Sequence, residues 1–196
     1  ALVTFIALTV LSKVSTVNES SMLRDGLQLS VKMSSLVHET QKERGATAGF
    51  LGSKGTKFVD ILKNQRESTN EKREDLQAAM NSIDLDQLPE EFVSNLRNAL
   101  DIFSKIRNVR NNVSTQNISK KDAIAYYTSM NSDFLDSIAV FALKSSNLKP
   151  QKEHLSFASF LLFSSVFSQK YSNQTYFSFL PYFSYQLQDI KSFCLE

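Results

Sequence analysis

The residues of this chain best suited to chemistry are arginines on helical stripes, and Arg44 comes first. Leu29, Met33, Leu36, Thr40, Thr47 and Leu51 recur at intervals that keep them on one face of a helix. Arg44 falls near the middle of that face and His38 opposite it. A guanidinium turned toward an apolar seam is unfavourable unless an anion pairs with it. Its planar fork of donors matches a small planar oxyanion as well as it matches a carboxylate. Two readings follow. One is an internal salt bridge, to Glu39 or Glu43 nearby or to an acid on another helix. The other is a bound anion.

Arg66 and Arg107 rank second. Arg66 lies on the flank of a second apolar stripe, beside Gln65, which points further inward. Arg107 follows Ile106 at the edge of a third. Either would complete a two-arginine clamp, and each also suits a solvated face. Thr40, Thr47, Gln65, Thr69 and Asn131 are polar groups on otherwise apolar stripes. They are suited to donate to a ligand or to form a hydrogen-bonded layer that fixes helix register.

No catalytic constellation is present: no Ser-His-Asp order, no nucleophile elbow, no zinc-protease helix. Gly45, Gly49, Gly52 and Gly55 lack the preceding strand and the following Gly-Lys-Ser/Thr of a phosphate loop. No enzymatic activity and no cofactor are expected. His38 and His154 have no metal-ligand spacing, and the lone Cys194 allows no disulfide within the chain. With 22 basic and 20 acidic residues, the net charge of +2 is too balanced for a nucleic-acid partner.

These side chains need long helices to position them, and the composition supplies them. Five glycines and three prolines in 196 residues leave few breaks. The first helix is expected from about Val14 to Phe50, continuous with the uncharged run Ala1–Leu11 and broken at Gly55. The second runs from about Thr56 to Ser82, with Phe58, Ile61, Leu62, Gln65, Thr69, Leu76 and Met80 on one face. The third starts at Pro89 with Glu90 and Glu91 favouring its N-terminus. Its stripe is Phe92, Leu96, Ala99, Leu100, Phe103, Ile106 and Val113. A loop is expected over 111–117, then a capping box at Ser119 and Asp122 opening a fourth helix that carries Ile124, Tyr127, Phe134, Leu135, Ile138, Phe141 and Ala142. Beyond Pro150, Phe157, Phe160, Phe163 and Phe167 share a face of a buried helix. A turn follows at 170–173, and Pro181 begins or kinks a last helix. The sum is an all-α, elongated antiparallel bundle of about six helices, of four-helix-bundle type.

Eleven residues are too few to span a bilayer, so residues 1–12 are expected to be the outer end of a transmembrane helix, with 13–196 as the domain beyond it.

Two stretches carry a family resemblance. The string Gln-Lys-Glu-Arg-Gly-Ala-Thr-Ala-Gly-Phe-Leu-Gly-Ser-Lys-Gly (41–55), with Phe58, Leu62, Gln65, Arg66 and Thr69, resembles the nitrate- and nitrite-sensing (NIT) domain family. So does Ala-Ile-Ala-Tyr-Tyr-Thr-Ser-Met-Asn-Ser-Asp-Phe-Leu-Asp-Ser-Ile (123–138). The resemblance implies a helical extracytoplasmic sensor, often of a chemoreceptor, that binds a small inorganic anion. It also implies a second inward arginine within a Glu-Arg-Ala-x-x-Ser pattern. Here that helix reads Ser159-Phe160-Leu161-Leu162-Phe163-Ser164, so Phe160 stands in its place.

The reading that results is a periplasmic sensor of an inner-membrane receptor. It would bind nitrate or nitrite through Arg44, Arg66, Arg107, Thr40, Thr47 and Gln65, and is expected to be a homodimer. The alternatives are a ligand-free spacer that sets dimer geometry and a sensor of a different small ligand.

Overall fold

A computed structural model describes the backbone of residues 2–145 and the side chains of residues 20–145. Phe160, the aromatic run around it, the turn at 170–173, Pro181 and Cys194 lie outside the described residues. All regular structure among the described residues is helical: α1 (Leu2–Gly52), α2 (Val59–Ser82), a 3-10 turn (Leu85–Gln87), α3 (Glu90–Ser104), α4 (Ile106–Ser114) and α5 (Lys120–Ser145). The all-α expectation holds. None of these helices is long and apolar enough to cross a membrane.

The chain divides into two units, one of residues 1–28 with 142–196 and one of residues 29–141. In the first, Leu23 is buried and Leu143 exposed. The second holds all the candidate residues, and it is an up-down-up-down four-helix bundle in which α3 and α4 act as one bent helix. Cross-helix hydrogen bonds give the directions. Thr40, Arg44 and Lys54 of the α1 arm meet Asn131, Thr128 and Gln116, so α1 and α5 run antiparallel. Arg66 meets Ser114 while Asn70 meets Arg110, and Tyr126 meets Ile102 while Ser137 meets Phe92, so α2 opposes α4 and α5 opposes α3.

Burial recurs every seven residues, alternating steps of four and three. On α1 the fully buried seam is Leu29, Met33, Leu36, Thr40, Glu43 and Thr47. On α3 and α4 it is Phe92, Leu96, Ala99, Phe103, Ile106 and Val113, and on α5 Ala123, Tyr127, Met130, Phe134, Ser137 and Phe141. A 3.5-residue repeat on a 3.6-residue helix drifts by about 20° per heptad. That drift corrects the position expected for Arg44. At Thr40–Thr47 the buried face has rotated toward Glu43, which is inaccessible to solvent, while Arg44 stands half-buried on the flank.

Other boundaries shift for identifiable reasons. Ser119 Oγ accepts from the Asp122 N–H at 3.1 Å and donates to Asp122 Oδ2 at 2.6 Å, the cap expected for α5. The third helix breaks at Lys105, whose N–H reaches the Ile102 and Phe103 carbonyls in a tightened last turn. Tyr126 Oη donates to the Ile102 carbonyl at 3.0 Å, so the break is held from α5. α4 then continues through Ser114, into part of the expected 111–117 loop. α2 begins at Val59 rather than Thr56, because Phe58 adopts a left-handed φ of 65°. That conformation lays its ring against Gly49, where a Cβ would come within 2.7 Å of it. Phe58 and Ile61, expected on the inner face of α2, are exposed at 42% and 59%.

Candidate functional site

The middle of the bundle carries a polar layer to which each of the four helices contributes. From α1 comes Glu43, at 0% side-chain exposure. From α4 comes Arg110, which grips it in a fork: Nε to Oε1 and Nη2 to Oε2, each 2.7 Å. From α5 comes Tyr127, whose hydroxyl donates to the same Oε1 at 2.7 Å. From α2 comes Arg66, whose Nε lies 3.9 Å from Oε1 and has no hydrogen-bond partner among the described residues. A buried carboxylate is tolerable only when its lone pairs are taken up, and three charge-assisted or phenolic donors do so here.

The arginines are tied to each other independently of Glu43. Arg110 Nη1 donates to Asn70 Oδ1 at 2.7 Å, and its Nη2 also faces the Arg66 carbonyl at 3.4 Å. Arg66 donates to Ser114 Oγ at 2.9 Å and to the Arg110 carbonyl at 3.2 Å. Burial lowers the pKa of both guanidiniums. At Arg110 the hydrogen bonds and charge of Glu43 outweigh that and raise it, whereas at Arg66 burial prevails. Burial first, then the Glu43 carboxylate, holds the Tyr127 proton well above the ordinary tyrosine range. Thr47 lies near enough to Tyr127 to draw that pKa down, yet its Oγ1 completes no hydrogen bond among the described residues.

Arg44 sits beside this layer and outside it. Its Nη1 donates to Thr128 Oγ1 at 3.2 Å, and the Thr128 hydroxyl in turn donates to the Ile124 carbonyl. Neither of the local acids serves it. Glu39 takes Lys42 at 2.7 Å and Gln65 Nε2 at 2.6 Å, and Glu43 belongs to Arg110. The hydrogen bonds from Lys42 and Gln65 keep the Glu39 pKa below its ordinary value, although burial, the largest single influence, pushes it up. The internal salt bridge weighed for Arg44 is therefore made by a different arginine. Next along α1, Gly45 is exposed, with nothing among the described residues within 4 Å of where a Cβ would stand.

The remaining candidates are spread over several places. Thr40 is buried, with its hydroxyl 2.6 Å from Asn131 Oδ1, while Asn131 Nδ2 has no partner among the described residues. Gln65 serves Glu39, also bonding its backbone carbonyl at 3.2 Å. Thr69 is buried and bonds back to the Gln65 carbonyl. Arg107 is exposed and contributes nothing to the layer. The arginine of α4 that does so is Arg110, one turn further on. Its signal was the seven-residue gap between Ile106 and Val113 in the apolar stripe. Among the described residues no cluster of histidine, cysteine and carboxylate side chains is arranged for a metal ion.

Comparison with known proteins matches this architecture. The family model described as nitrate and nitrite sensing fits residues 35–165, about two thirds of the chain and the whole of the polar layer. A solved structure of the NasR transcription antiterminator superposes with a TM-score of 0.68 at 16% sequence identity. The match covers 86% of this chain and 45% of that one, so this chain spans less than half the length of that structure, and the likeness is one of fold. No curated protein gives a significant match.

Proposed function

The chain belongs to the nitrate- and nitrite-sensing (NIT) family, and on that premise we propose that it is the sensor module of a transmembrane receptor that takes nitrate or nitrite at Arg44. One observation carries the site. Arg44 has no carboxylate partner among the described residues, because both acids within its reach are engaged elsewhere. A half-buried guanidinium held at one corner by Thr128 keeps its other donors for a planar monoanion, whose modest hydration makes it easy to strip. The open space beside Gly45 leaves a small ion room to approach.

The receptor setting rests on the apolar run at the start of α1, read as the outer end of a membrane-spanning helix, with the domain on the periplasmic side as a homodimer. α1 runs from there to Gly52, so a ligand that shifts the packing of α1 acts on the same helix that would enter the membrane.

The test is calorimetric titration of the purified chain with nitrate and nitrite. Arg44→Ala should abolish binding, a loss of about 2 kcal/mol or more, without lowering the melting temperature. Arg44→Lys should also bind poorly, since a point charge lacks the fork. Absence of anion binding in the wild type, with Arg44→Ala lowering only the melting temperature, would return Arg44 to a structural role. A reporter inserted near Lys54 of the intact receptor tests the placement: a cytoplasmic signal removes the periplasmic assignment.

A further inference from the structure

We propose that the Glu43 layer is a register lock, in which Glu43 is a plug on α1 and Arg110, Tyr127 and Arg66 form its socket, and that this lock positions Arg44. The proposal rests on the reading of Arg44 as the anion contact and adds what controls that contact.

The asymmetry of the layer supports it. The socket is preassembled across α2 and α4 by bonds that do not involve α1: Arg110 to Asn70, Arg110 to the Arg66 carbonyl, Arg66 to Ser114 and Arg66 to the Arg110 carbonyl. α5 adds the Tyr127 hydroxyl. α1 supplies a single charged group to this layer, and it is the only charged side chain in the buried seam from Leu29 to Thr47.

The apolar part of that seam discriminates poorly between registers, and the Thr40 hydroxyl, 2.6 Å from Asn131 Oδ1, adds one neutral contact that favours the same register. Leu29, Met33 and Leu36 are similar in volume and all fit an apolar layer, so sliding α1 by one or two turns costs little in packing alone. Such a slide carries Glu43 out of the Arg110 fork into an apolar layer and leaves a carboxylate and a guanidinium buried apart, which the interior does not tolerate. A buried polar group at one seam position is a known means of choosing a single register.

The link to Arg44 is geometric. Successive residues of α1 bond successive residues of α5: Glu43 to Tyr127 and Arg44 to Thr128. A movement of α1 that frees Glu43 therefore also carries Arg44 away from Thr128, and an anion that draws Arg44 aside strains the Glu43 fork. Glu43, Arg110 and Tyr127 are thus positioning residues for the anion contact.

The test replaces the whole layer with apolar side chains: Glu43→Leu, Arg110→Met, Tyr127→Phe and Arg66→Met together, in the full chain. Removing all the charges at once avoids stranding any of them, and the variant should melt at or above the wild-type temperature. Its amide 1H–15N spectrum should show doubled or multiple peaks for α1 where the wild type shows one set. Nitrate affinity should fall about tenfold or more, because the contact is no longer pre-organised. A single set of peaks overturns the lock, and unchanged nitrate affinity overturns the positioning. Should the fourfold variant not fold, Glu43→Gln serves instead: it keeps the shape but weakens the grip of Arg110, and is read by the same two measurements and the same outcomes. If the wild type itself binds no nitrate, the assignment of Arg44 fails, while the peak pattern still decides the lock.

Discussion

In one half of the 29–141 bundle the seam is closed by Leu29, Met33 and Leu36 on α1, Leu76 on α2, Phe92, Leu96 and Phe103 on α3, and Phe134 and Phe141 on α5. Aromatic rings meet there, Phe92 with Phe141 at 5.0 Å and Phe103 with Phe134 at 6.4 Å between centroids. In the other half the same seam positions hold Thr40, Glu43 and Thr47 against Asn131, Tyr127 and Arg110, beside a smaller apolar cluster of Ala46, Leu62, Val113 and Ala123. The first half is held by contact area and tolerates exchange of one hydrophobe for another. The polar layer is held by direction: losing one partner strands the others, and only replacement of the whole layer is tolerated. Stability and specificity are thus separated along a single seam, and the two kinds of residue should fail differently.

The largest loss is expected in the apolar half. Phe92→Ala removes a fully buried ring and leaves a cavity, at about 4 kcal/mol, measured as a shift in urea midpoint with unchanged slope. The layer should come next. Arg110→Met strands Glu43 and should lose about 3 kcal/mol, because an uncompensated buried carboxylate remains. The contrast between this single change and the benign fourfold replacement separates the two halves: no combination of apolar deletions in the first half should recover stability in that way.

Alkaline titration gives a gentler test. Tyr126 and Tyr127 have their pKa raised above the ordinary 10.0, chiefly by burial. The unfolded chain releases these protons near pH 10 while the folded chain keeps them. Stability should therefore be level below that pH and fall as pH rises above it. Tyr127→Phe should flatten the fall, measured by thermal melts from pH 8 to 11. The smallest effect belongs to the edge of the fold: Ser119→Ala removes the α5 cap and should lose about 1 kcal/mol wherever the site stands.

Much of this architecture could be read in the sequence, and the residues it missed share one cause. The helices, the Ser119 cap and the buried polar positions Thr40, Thr47, Thr69 and Asn131 follow from periodicity and local chemistry. The break at Lys105 carried no signal, because neither glycine nor proline marks it and the burial repeat runs straight through it. Glu43 and Arg110 were passed over because they are charged, and a stripe drawn through apolar residues skips them. Yet the skipped intervals were informative. Thr40 to Thr47 and Ile106 to Val113 each span seven residues with no inner member. The missing members are Glu43 and Arg110, which meet in space. A gap of one heptad on two helices, with charges of opposite sign inside, is the pattern of a buried layer. The expectation that Arg44 falls near the middle of the stripe is too generous: at 100° per residue Glu43 and Arg44 straddle the seam almost evenly, and only the slower 3.5-residue repeat decides between them.

The seven-residue repeat has a mechanical consequence. A helix whose buried face returns every 3.5 residues winds around its neighbours in a left-handed coil, so its groove is a thread. α1 cannot move along a thread without turning. With a coil pitch of about 150 Å, an advance of one helical turn, about 5.4 Å, rotates α1 by about 13°. Any displacement at Arg44 would leave this bundle as thrust and twist in fixed proportion, and a receiving helix could respond to either.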